Sequence, residues 1–369
     1  MSYYISDLTL ESFRNFKNKK FTFSNKPIFL IGDNGIGKTS IIEALSLLAP
    51  GKGLRNALLE DMNNKSIKQN FSIHSTLYND FFGNINLSTN AIHNKSSLSR
   101  SIYVDNKELK KQTTVGLYLN VVWLTPKMDL FFLESKEHKR KFIDRLIFTI
   151  NPEHATYINN YDKLIKQRKN LLYKNINDTL MLDAIEQTII EYGINISINR
   201  IDFIDRLNKV MLQKKLPLAL PKVEFKGTIE SIINNSPTTI KAEEEYANQL
   251  NNTRKQDIKS NRTSIGTHTS ELVIHHINNN QLAQHCSTGE QKLLLINILF
   301  GYIYIYMLEK NAIPLLLLDE LLSHLDPEKQ IFVIDELLKL EQQFFITANT
   351  FNLPKKYYDI FEIIDLNTI

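Results

Sequence analysis

The sequence Gly32-Asp33-Asn34-Gly35-Ile36-Gly37-Lys38-Thr39 fits the pattern G-x-x-x-x-G-K-[ST]. It follows an apolar stretch ending at Ile31 and opens a stretch with helical periodicity, which is the context that this loop requires. The glycines let backbone N–H groups turn inward around phosphate oxygens, and the helix N-terminus adds partial positive charge. The alternative, a structural glycine turn, is disfavoured by this strand–loop–helix setting. The predicted phosphate contacts are Gly32, Asp33, Asn34, Gly35, Ile36, Gly37, Lys38, Thr39 and Ser40.

A second stretch, Pro314–Leu318, reads as a buried strand and is followed by two carboxylates, Asp319 and Glu320, which are the candidate catalytic residues. Ligands of open α/β sheets gather at the carboxyl ends of strands. Asp319 and Thr39 are the candidate Mg²⁺ ligands, because Mg²⁺ prefers oxygen and keeps several waters. Glu320 is expected to orient or deprotonate an attacking water, and Lys38 to bridge the terminal phosphates. For the two carboxylates alone, a solvated acidic turn is the alternative.

Strand and helix patterns alternate at both ends of the chain, whereas the middle is helical. This order predicts a parallel α/β core assembled from the two ends, with a partly antiparallel sheet within residues 70–125. In the helical middle, Gly193 is expected to cost about 1 kcal/mol relative to alanine. We therefore predict an α/β P-loop head, with a mixed or parallel core sheet plus an antiparallel sheet and an inserted helical lid. The expected boundaries are 1–130 and 260–369 for the head and 131–259 for the lid.

Composition places the chain among ordinary globular proteins. It has 369 residues, 43% hydrophobic and 23% charged, so a sizeable core and more than one unit are expected. The formal charge of +4 leans only slightly towards an anionic partner. One cysteine, Cys286, gives no disulfide framework and favours a reducing compartment. We expect a cytoplasmic protein without a membrane partner, because no signal peptide pattern opens the sequence and the apolar stretch Leu293–Leu308 is interrupted and short for a bilayer.

Another motif, Cys286-Ser287-Thr288-Gly289-Glu290-Gln291-Lys292, precedes a predicted long helix. Ser287 and Glu290 have capping-box spacing, so a good helix start alone would explain the pattern. The segment also resembles the signature motif of ATP-binding-cassette (ABC) ATPases, which sandwich two ATP molecules between head-to-tail subunits. This resemblance implies an ABC-type ATPase head. It assigns Ser287 and Gly289 to the γ-phosphate of the ATP that the other subunit's Lys38 holds.

Further segments narrow the resemblance to the RecF family and extend from one end of the chain to the other. They are Leu10–Phe16, Asn34–Thr39 with Glu43-Ala44, Gly53–Arg55, Leu124–Leu130, Lys139–Asp144, and the set Arg254, Asp257, Thr263, Gly266 and His268. The segment Leu322–Asp326 belongs to the wider ABC resemblance, in which it matches the loop that crosses the dimer interface. The family's Gly-Pro-His-Arg-Asp-Asp segment reads Gly-Thr-His-Thr-Ser-Glu here and lacks the arginine. Glu320 stands where the family often has a second aspartate. Transporter relatives carry a histidine after the last apolar strand, whereas Phe345-Ile-Thr347-Ala-Asn349 stands here, as in RecF-like sequences. Thr347 is expected to position water or phosphate.

The RecF resemblance implies ATP and Mg²⁺ as ligands and an ATP-dependent homodimer. It also implies DNA as the partner, either double-stranded, gapped or with a junction between single and double strands. Other recombination mediator proteins are the implied protein partners, in recombinational repair and replication restart. ATP hydrolysis is expected to be weak, DNA-stimulated and used as a switch.

Two basic clusters are candidates for DNA contact. One lies on a predicted lid helix and comprises Lys163, Lys166, Arg168, Lys169 and Lys174; the other comprises Lys136, Lys139, Arg140 and Lys141. Either cluster would neutralise phosphates without reading bases. A solvated basic helix face is an equally good interpretation of each.

Four other classes of protein share parts of this pattern. A structural chromosome ATPase of the SMC type would carry hundreds of heptad-patterned residues between Lys38 and Ser287, and no sustained heptad is seen. The ATPase subunit of a repair or defence nuclease would need an added carboxylate cluster, and none stands out. A transporter subunit would need a membrane partner. A small-molecule kinase would not explain the motif Cys286–Glu290.

Overall fold

A computed structural model describes residues 3–67, 69–81, 83–94, 97–173 and 179–368. Its strands are β1 (Tyr3–Phe13), β2 (Phe16–Thr22), β3 (Ile28–Ile31), β4 (Ser72–Asn79), β5 (Gly83–Asn94), β6 (Ser97–Val104), β7 (Lys107–Glu108), β8 (Val121–Leu124), β9 (Pro221–Lys226), β10 (Glu271–His276), β11 (Gln281–Leu282), β12 (Leu315–Asp319), β13 (Phe344–Thr347) and β14 (Glu362–Asp365). Its α-helices are α1 (Lys38–Leu47), α2 (Leu59–Met62), α3 (Lys136–Ile150), α4 (Glu153–Tyr173), α5 (Thr179–Lys214), α6 (Thr228–Asn235), α7 (Thr239–Ser260), α8 (Thr288–Lys310) and α9 (Pro327–Leu338).

These elements fall in two compact units. One lies within Met1–Met128 and Tyr306–Ile369, and the other lies within Asp129–Ile305. The predicted division of the chain into head and lid, at residues 130 and 260, stays a prediction. The two compact units are defined by how the chain packs, whereas a head or a lid is defined by the ligands that it binds.

The first unit contains a parallel sheet with the strand order β14-β3-β13-β12-β8. Strand β12 reads Leu-Leu-Leu-Leu-Asp and is buried along its whole length, as expected for a strand that is covered on both faces. Leu316 of β12 pairs with Phe344 of β13, and Phe345 pairs with Ile28 of β3. Because parallel strands end at the same edge, the residues that follow β3, β12 and β13 meet there. The predicted parallel core from both ends of the chain is confirmed.

An antiparallel sheet with the order β2-β1-β4-β5-β6-β7 completes the first unit. Burial alternates along β4, so one face of the sheet packs on a core and the other faces outward. That core joins Ile73 and Leu77 of β4 to Ile41 and Leu45 of α1. The antiparallel sheet predicted within residues 70–125 is therefore present, and it buries one side of the helix that follows the glycine-rich loop.

Arg100 of β6 closes the end of helix α1. Its buried guanidinium donates to the carbonyl oxygen of Ala49 at 3.3 Å and also to those of Leu47 and Gly51. The last carbonyl groups of a helix have no partner within the helix, so a cation at this end satisfies them. Burial lowers the pKa of Arg100 to about 10. This side chain thus fixes the far end of the helix whose first turn carries Lys38 and Thr39.

The second unit is mainly helical, with a small sheet of order β11-β10-β9. Its core brings together Tyr161 of α4, Ile189 of α5 and Tyr246 of α7. A Cβ atom on Gly193 would lie 3.0 Å from the ring of Tyr246 and 3.3 Å from that of Tyr161. The glycine is unfavourable for the helix itself but allows both rings to pack closely against α5. The predicted helical middle of the chain is confirmed.

Some elements differ from what the sequence pattern predicts. The pattern over residues 21–31 predicts one strand, but the structure divides this stretch into the end of β2 and β3, which belong to different sheets, because Pro27 and the turn before it interrupt the extended chain. Helix α6 and strand β14 were not expected. Both are short, and strand β14 is identified only by its pairing with β3, where Ile363 lies beside Phe29.

Helix α8 is longer than its apolar stretch suggested. By length and composition it would be able to cross a bilayer, contrary to the expectation that this stretch is too short. However, 83% of its most apolar window is buried inside the protein. This burial is typical of the core helix of a folded domain.

Candidate nucleotide-binding site

The glycine-rich loop between β3 and α1 depends on backbone conformations that favour glycine. Gly32, Gly35 and Gly37 have φ angles of 143°, 85° and 123°. A Cβ atom on Gly37 would lie 2.7 Å from the ring of Phe16 and 2.8 Å from the Asn15 amide. That amide donates to the carbonyl oxygen of Ile36 at 2.9 Å. The turn after β1 therefore holds the loop in shape, and alanine at position 37 would not fit.

Lys38 is buried, and its ammonium group points back into the loop. It donates to the carbonyl oxygens of Gly32 and, at 3.1 Å, of Asp33. It also donates to Oδ1 of Asn349, two residues beyond β13, at 2.9 Å. Ser40 is buried in the first turn of α1, whereas Asp33, Asn34 and Gly35 are exposed at the tip of the loop. The predicted phosphate-binding residues therefore form one continuous loop around the Lys38 ammonium.

Oxygen atoms from three elements meet beside the loop at the end of β12. Thr39 donates from Oγ1 to Oδ1 of Asp319 at 3.2 Å, and Thr347 donates to the same oxygen at 2.7 Å. Burial raises the pKa of Asp319 above its usual value, although the hydrogen bonds from Thr347 and Thr39 lower it. A hydroxyl and a carboxylate in contact fit the donor set of Mg²⁺, which prefers oxygen and keeps several waters. The geometry thus brings the two predicted Mg²⁺ ligands together.

Glu320 occupies a strained position directly after β12. Its φ angle is 49°, in the left-handed region that non-glycine residues seldom adopt, and such strain clusters at functional sites. Its backbone N–H donates to Oγ1 of Thr347 at 2.9 Å, which fixes the turn. Glu320 lines the 560 Å³ cavity that also contains Lys38 and Thr39. The role predicted for Glu320, to orient an attacking water, stays a prediction.

The loop Leu322–Asp326 follows Glu320 and is held by its own polar contacts. Ser323 Oγ donates to the carbonyl oxygen of Glu320 at 2.7 Å. Gln330 of α9 donates to the carbonyl oxygens of Leu322 and Leu325, and Asp326 caps α9 by accepting from the N–H of Lys329 at 3.0 Å. The loop that resembles the interface-crossing segment is thus joined to the residue that carries the candidate base.

A buried carboxylate, Glu43, holds two arginines at the wall of the same cavity. Arg14 contacts Glu43 through two hydrogen bonds of 2.6 and 2.8 Å, and Arg55 approaches it at 3.4 Å. In the sequence these three residues belong to segments that resemble the RecF family, and no role is predicted for them. Their sequence signal is weak, because it consists of one arginine in each of two separate turns and one glutamate on a helix face. The structure shows that they form one cationic wall of the cavity.

Ser287 and Gly289 lie in the second unit, at the start of α8. Ser287 is exposed, and its N–H and Oγ both donate to Oε2 of Glu290 at 2.9 Å. The N–H of Glu290 donates back to Ser287 Oγ at 3.4 Å. The backbone N–H of Ser287 is the main cause that lowers the pKa of Glu290. The capping box is therefore formed, and it presents an exposed helix N-terminus of the kind that attracts anions.

The sequence of this chain was compared with those of known proteins to find the family to which it is similar. Residues 4–366 match the family described as RecF/RecN/SMC N terminal domain. The DNA replication and repair protein RecF of Rickettsia prowazekii is 33% identical over 98% of this chain and 99% of its own length. The RecF of Rickettsia akari is 34% identical over 93% of this chain and 94% of its own. This chain belongs to the RecF family.

A solved structure of RecF agrees with the RecF fold of this chain. It is described as the recombination mediator protein RecF-ATP in the RecFOR pathway and has a TM-score of 0.84 at 22% identity, covering 95% of this chain and 93% of that one. At this identity the likeness shows the fold. The predicted ABC-type head, with a parallel core sheet, an antiparallel sheet and inserted helices, is confirmed.

One residue of the first basic cluster in this RecF chain is not at the surface. Arg168 of α4 is fully buried and donates to Glu186 of α5 at 2.8 Å and to Asp257 of α7 at 2.7 Å. It also donates to Thr263 at 3.0 Å. Its assignment to a DNA-contact cluster was wrong, because a charge pattern on a helix does not show which charges have buried partners. Lys163, Lys166 and Lys169 are exposed, and Lys174 lies outside the described residues.

The second basic cluster in the RecF chain is largely occupied with contacts inside the unit. Lys139 is buried, and Arg140 donates to the carbonyl oxygen of Ser270 at 2.6 Å. Lys136 pairs with Glu271, and Lys141 pairs with Glu137. Lys136 and Lys141 stay exposed, whereas Lys139 and Arg140 are turned towards the protein.

The segment from Arg254 to His268 explains part of the RecF resemblance structurally. Arg254 binds Glu186, and Asp257 accepts from the N–H of Ser264 at 2.9 Å, so both residues tie this segment to the Arg168 network. His268 contacts the Tyr161 hydroxyl at 2.8 Å and the carbonyl oxygen of Thr263 at 3.0 Å, and burial lowers its pKa. These contacts indicate a role in holding the helices of the second unit together.

We expect Arg168→Ala to destabilise the second unit strongly. The change leaves the buried carboxylate of Asp257 without its ion pair to Arg168, and it leaves Glu186 paired with Arg254 alone. Removing one member of a buried ion pair costs about 3–5 kcal/mol. The free energy of unfolding, measured by urea denaturation, is the readout. Exposed Lys169 is the matched control, and Lys169→Ala should change that energy by no more than about 0.5 kcal/mol. Equal effects of the two changes would contradict the network.

Proposed function

We propose that this chain is an ATP-dependent DNA-binding protein of recombinational repair and replication restart. In this proposal it binds ATP, dimerises head to tail, grips double-stranded, gapped or junction DNA, and releases it after slow ATP hydrolysis. The observation that carries the proposal is the meeting of Lys38, Thr39, Asp319 and Thr347 at one sheet edge. Its Rickettsia relatives are DNA replication and repair proteins, which supports the same activity.

The residues of the loop have distinct parts in nucleotide binding. The backbone N–H groups of Gly32–Gly37 and the first turn of α1 surround the phosphates, and Lys38 supplies positive charge to them. Thr39 and Asp319 would hold Mg²⁺, which when bound neutralises the charge on the phosphate oxygens. Glu320 orients a water for attack and accepts its proton, and Thr347 fixes the turn that carries Glu320.

In this proposal, dimerisation supplies the contact to the γ-phosphate that a single chain lacks. Ser287 and Gly289 form an exposed helix N-terminus, which would contact the γ-phosphate held by Lys38 of a second copy. Two copies joined in this way double the surface that faces DNA, and a bivalent contact gains affinity from effective concentration. ATP would therefore control DNA affinity through assembly.

The lysines of α4 are the proposed contacts to DNA phosphates. Other recombination mediator proteins are the proposed protein partners, and the proposed location is the cytoplasm.

The test of the function is DNA binding to gapped, duplex and single-stranded substrates, with and without ATP, across a series of salt concentrations. A steep salt dependence that appears only with ATP supports the clamp. Equal binding with and without ATP would contradict it.

We expect the triple change of Lys163, Lys166 and Lys169 to glutamine to reduce the salt dependence of duplex DNA binding. Each phosphate contact contributes about 0.9 to the slope of log K against log salt concentration, so the slope should become less steep by about 0.9 for each lysine in contact. Exposed Lys310 on α8 is the control, and Lys310→Gln should leave the slope unchanged. An unchanged slope in the triple variant would remove α4 from the DNA surface.

A further inference from the structure

The number of hydrogen-bond donors on Lys38 limits how it meets a phosphate. A lysine ammonium has three N–H donors and no acceptor. In the structure three protein oxygens accept from it: the carbonyl oxygens of Gly32 and Asp33, and Oδ1 of Asn349. A phosphate oxygen that binds Lys38 must therefore replace one of these three acceptors or share a donor with it.

Only one of the three acceptors is free to move without disturbing the loop. The carbonyl groups of Gly32 and Asp33 belong to the loop backbone, which the positive φ angles of its glycines and the bond from Asn15 to Ile36 hold in place. Asn349 reaches Lys38 with a side chain, and that residue is exposed. Its own backbone is fixed, because its carbonyl oxygen accepts from the N–H of Gly32 at 3.3 Å. Rotation of the Asn349 side chain is the change that costs least.

Asn349 also borders a second cavity, of 190 Å³, which lies beside the candidate base. Glu320, Ser323, Thr347 and Thr350 are among its other lining residues. Ser323 belongs to the loop that resembles the interface-crossing segment, and its hydroxyl donates a hydrogen bond to the carbonyl oxygen of Glu320. An Asn349 side chain that leaves Lys38 therefore has space to enter, and that space is lined by the base and by Ser323 of this loop.

We propose that Asn349 is a positioning residue that competes with the nucleotide phosphates for Lys38. When phosphates bind to Lys38, the displaced Asn349 side chain couples their binding to the loop Leu322–Asp326. The proposal rests on the proposed function, since it takes the loop as an ATP site. While Asn349 accepts from Lys38, the ammonium is held inside the loop. When a phosphate oxygen takes its place, the Asn349 amide turns towards Glu320 and Ser323. Asn349 thus lowers ATP affinity and links phosphate binding to the side of the protein that faces a second copy.

The proposal predicts changes of opposite sign for two substitutions. Asn349→Ala removes the competitor, so ATP should bind more tightly, by about tenfold or more, the scale of one hydrogen bond to a charged group. Asn349→Asp keeps the size of the side chain but pairs its charge with Lys38 and repels the phosphates, so ATP should bind at least about tenfold more weakly. A residue that merely maintained the loop would weaken ATP binding in both variants.

The experiment measures the Kd for ATP with Mg²⁺ by isothermal titration calorimetry, for the full chain and three variants. Asn352→Ala is the matched control, because Asn352 is an exposed asparagine that lines the same cavity. The affinity of this variant for ATP should equal that of the unaltered chain. Thermal unfolding without nucleotide checks that each variant is folded. Tighter binding by Asn349→Ala together with weaker binding by Asn349→Asp supports the proposal. Weaker or unchanged binding by a folded Asn349→Ala overturns it and leaves the proposed function standing, whereas failure of the unaltered chain to bind ATP overturns both.

Discussion

Lys38→Ala is expected to abolish ATP binding at ordinary nucleotide concentrations. The ammonium is the buried cation at the centre of the loop, and it would make charge-assisted hydrogen bonds to the phosphates. Two such bonds, at about 1.5–3 kcal/mol each, correspond to a rise in Kd on the order of 100-fold or more. Titration calorimetry with ATP and Mg²⁺ measures this change.

The control for Lys38→Ala is a lysine that follows the same helix. Lys52 is exposed in the turn after α1, and Lys52→Ala removes an equal charge without touching the loop. Its Kd for ATP should match that of the unaltered chain. If Lys38→Ala bound ATP as tightly as Lys52→Ala, the glycine-rich loop would not be the phosphate site.

Glu320→Gln is expected to stop hydrolysis while leaving ATP binding intact. The amide keeps the shape of the side chain and leaves the bond between the Glu320 N–H and Thr347 unchanged, but it cannot accept a proton from water. General base catalysis contributes about 100- to 10,000-fold, so the rate of ATP hydrolysis should fall by at least about 100-fold. The ATP-bound dimer should then persist, which size-exclusion chromatography after nucleotide loading would show.

Exposed Glu328 of α9 serves as the control for Glu320. Glu328→Gln removes the same charge a short distance along the chain and should hydrolyse ATP at the normal rate. An unchanged hydrolysis rate in Glu320→Gln would reassign the catalytic carboxylate, with Asp319 the remaining candidate. Asp319→Asn would separate the two roles, because loss of an Mg²⁺ ligand should weaken the dependence of ATP affinity on Mg²⁺ as well as the rate.

The nucleotide site could be predicted where its parts are contiguous in sequence. The loop from Gly32 to Thr39 carries its glycines, its lysine and its helix start within one short run. Asp319 was identifiable because the four leucines before it fit a short strand that is buried on both faces. In both cases local sequence determines local structure, and the parallel sheet then brings the two strand ends together.

The contacts that complete the site could not be predicted, because they join distant parts of the chain. Asn349 meets Lys38 across 311 positions, and no spacing rule links an amide after one strand to a lysine after another. The prediction that Arg168 lies at the surface was wrong for the same reason, since its partner Asp257 lies 89 positions away on another helix. The pattern of charges on α4 showed where its lysines and arginine lie, but not which of them other helices cover.

The central claim is that the ATP on one copy's Lys38 is completed by Ser287 of a second copy. Ser287→Arg should keep ATP affinity but block ATP-induced dimerisation, because a bulky side chain occupies the contact with the phosphate. Ser287→Asp serves as a second variant, since aspartate retains the N-cap of α8 and its charge repels the γ-phosphate. Blocked dimerisation in both variants would therefore not result from a frayed helix.

The most direct measurement is sedimentation velocity with ATP on Lys38→Ala, on Ser287→Arg and on an equal mixture of the two. In a head-to-tail dimer of the mixture, one nucleotide site combines an intact Lys38 with an intact Ser287, and the other site carries both changes. Each variant alone should stay monomeric, whereas the mixture should form a dimer. Dimerisation of Ser287→Arg alone to the extent of the unaltered chain would contradict the central claim.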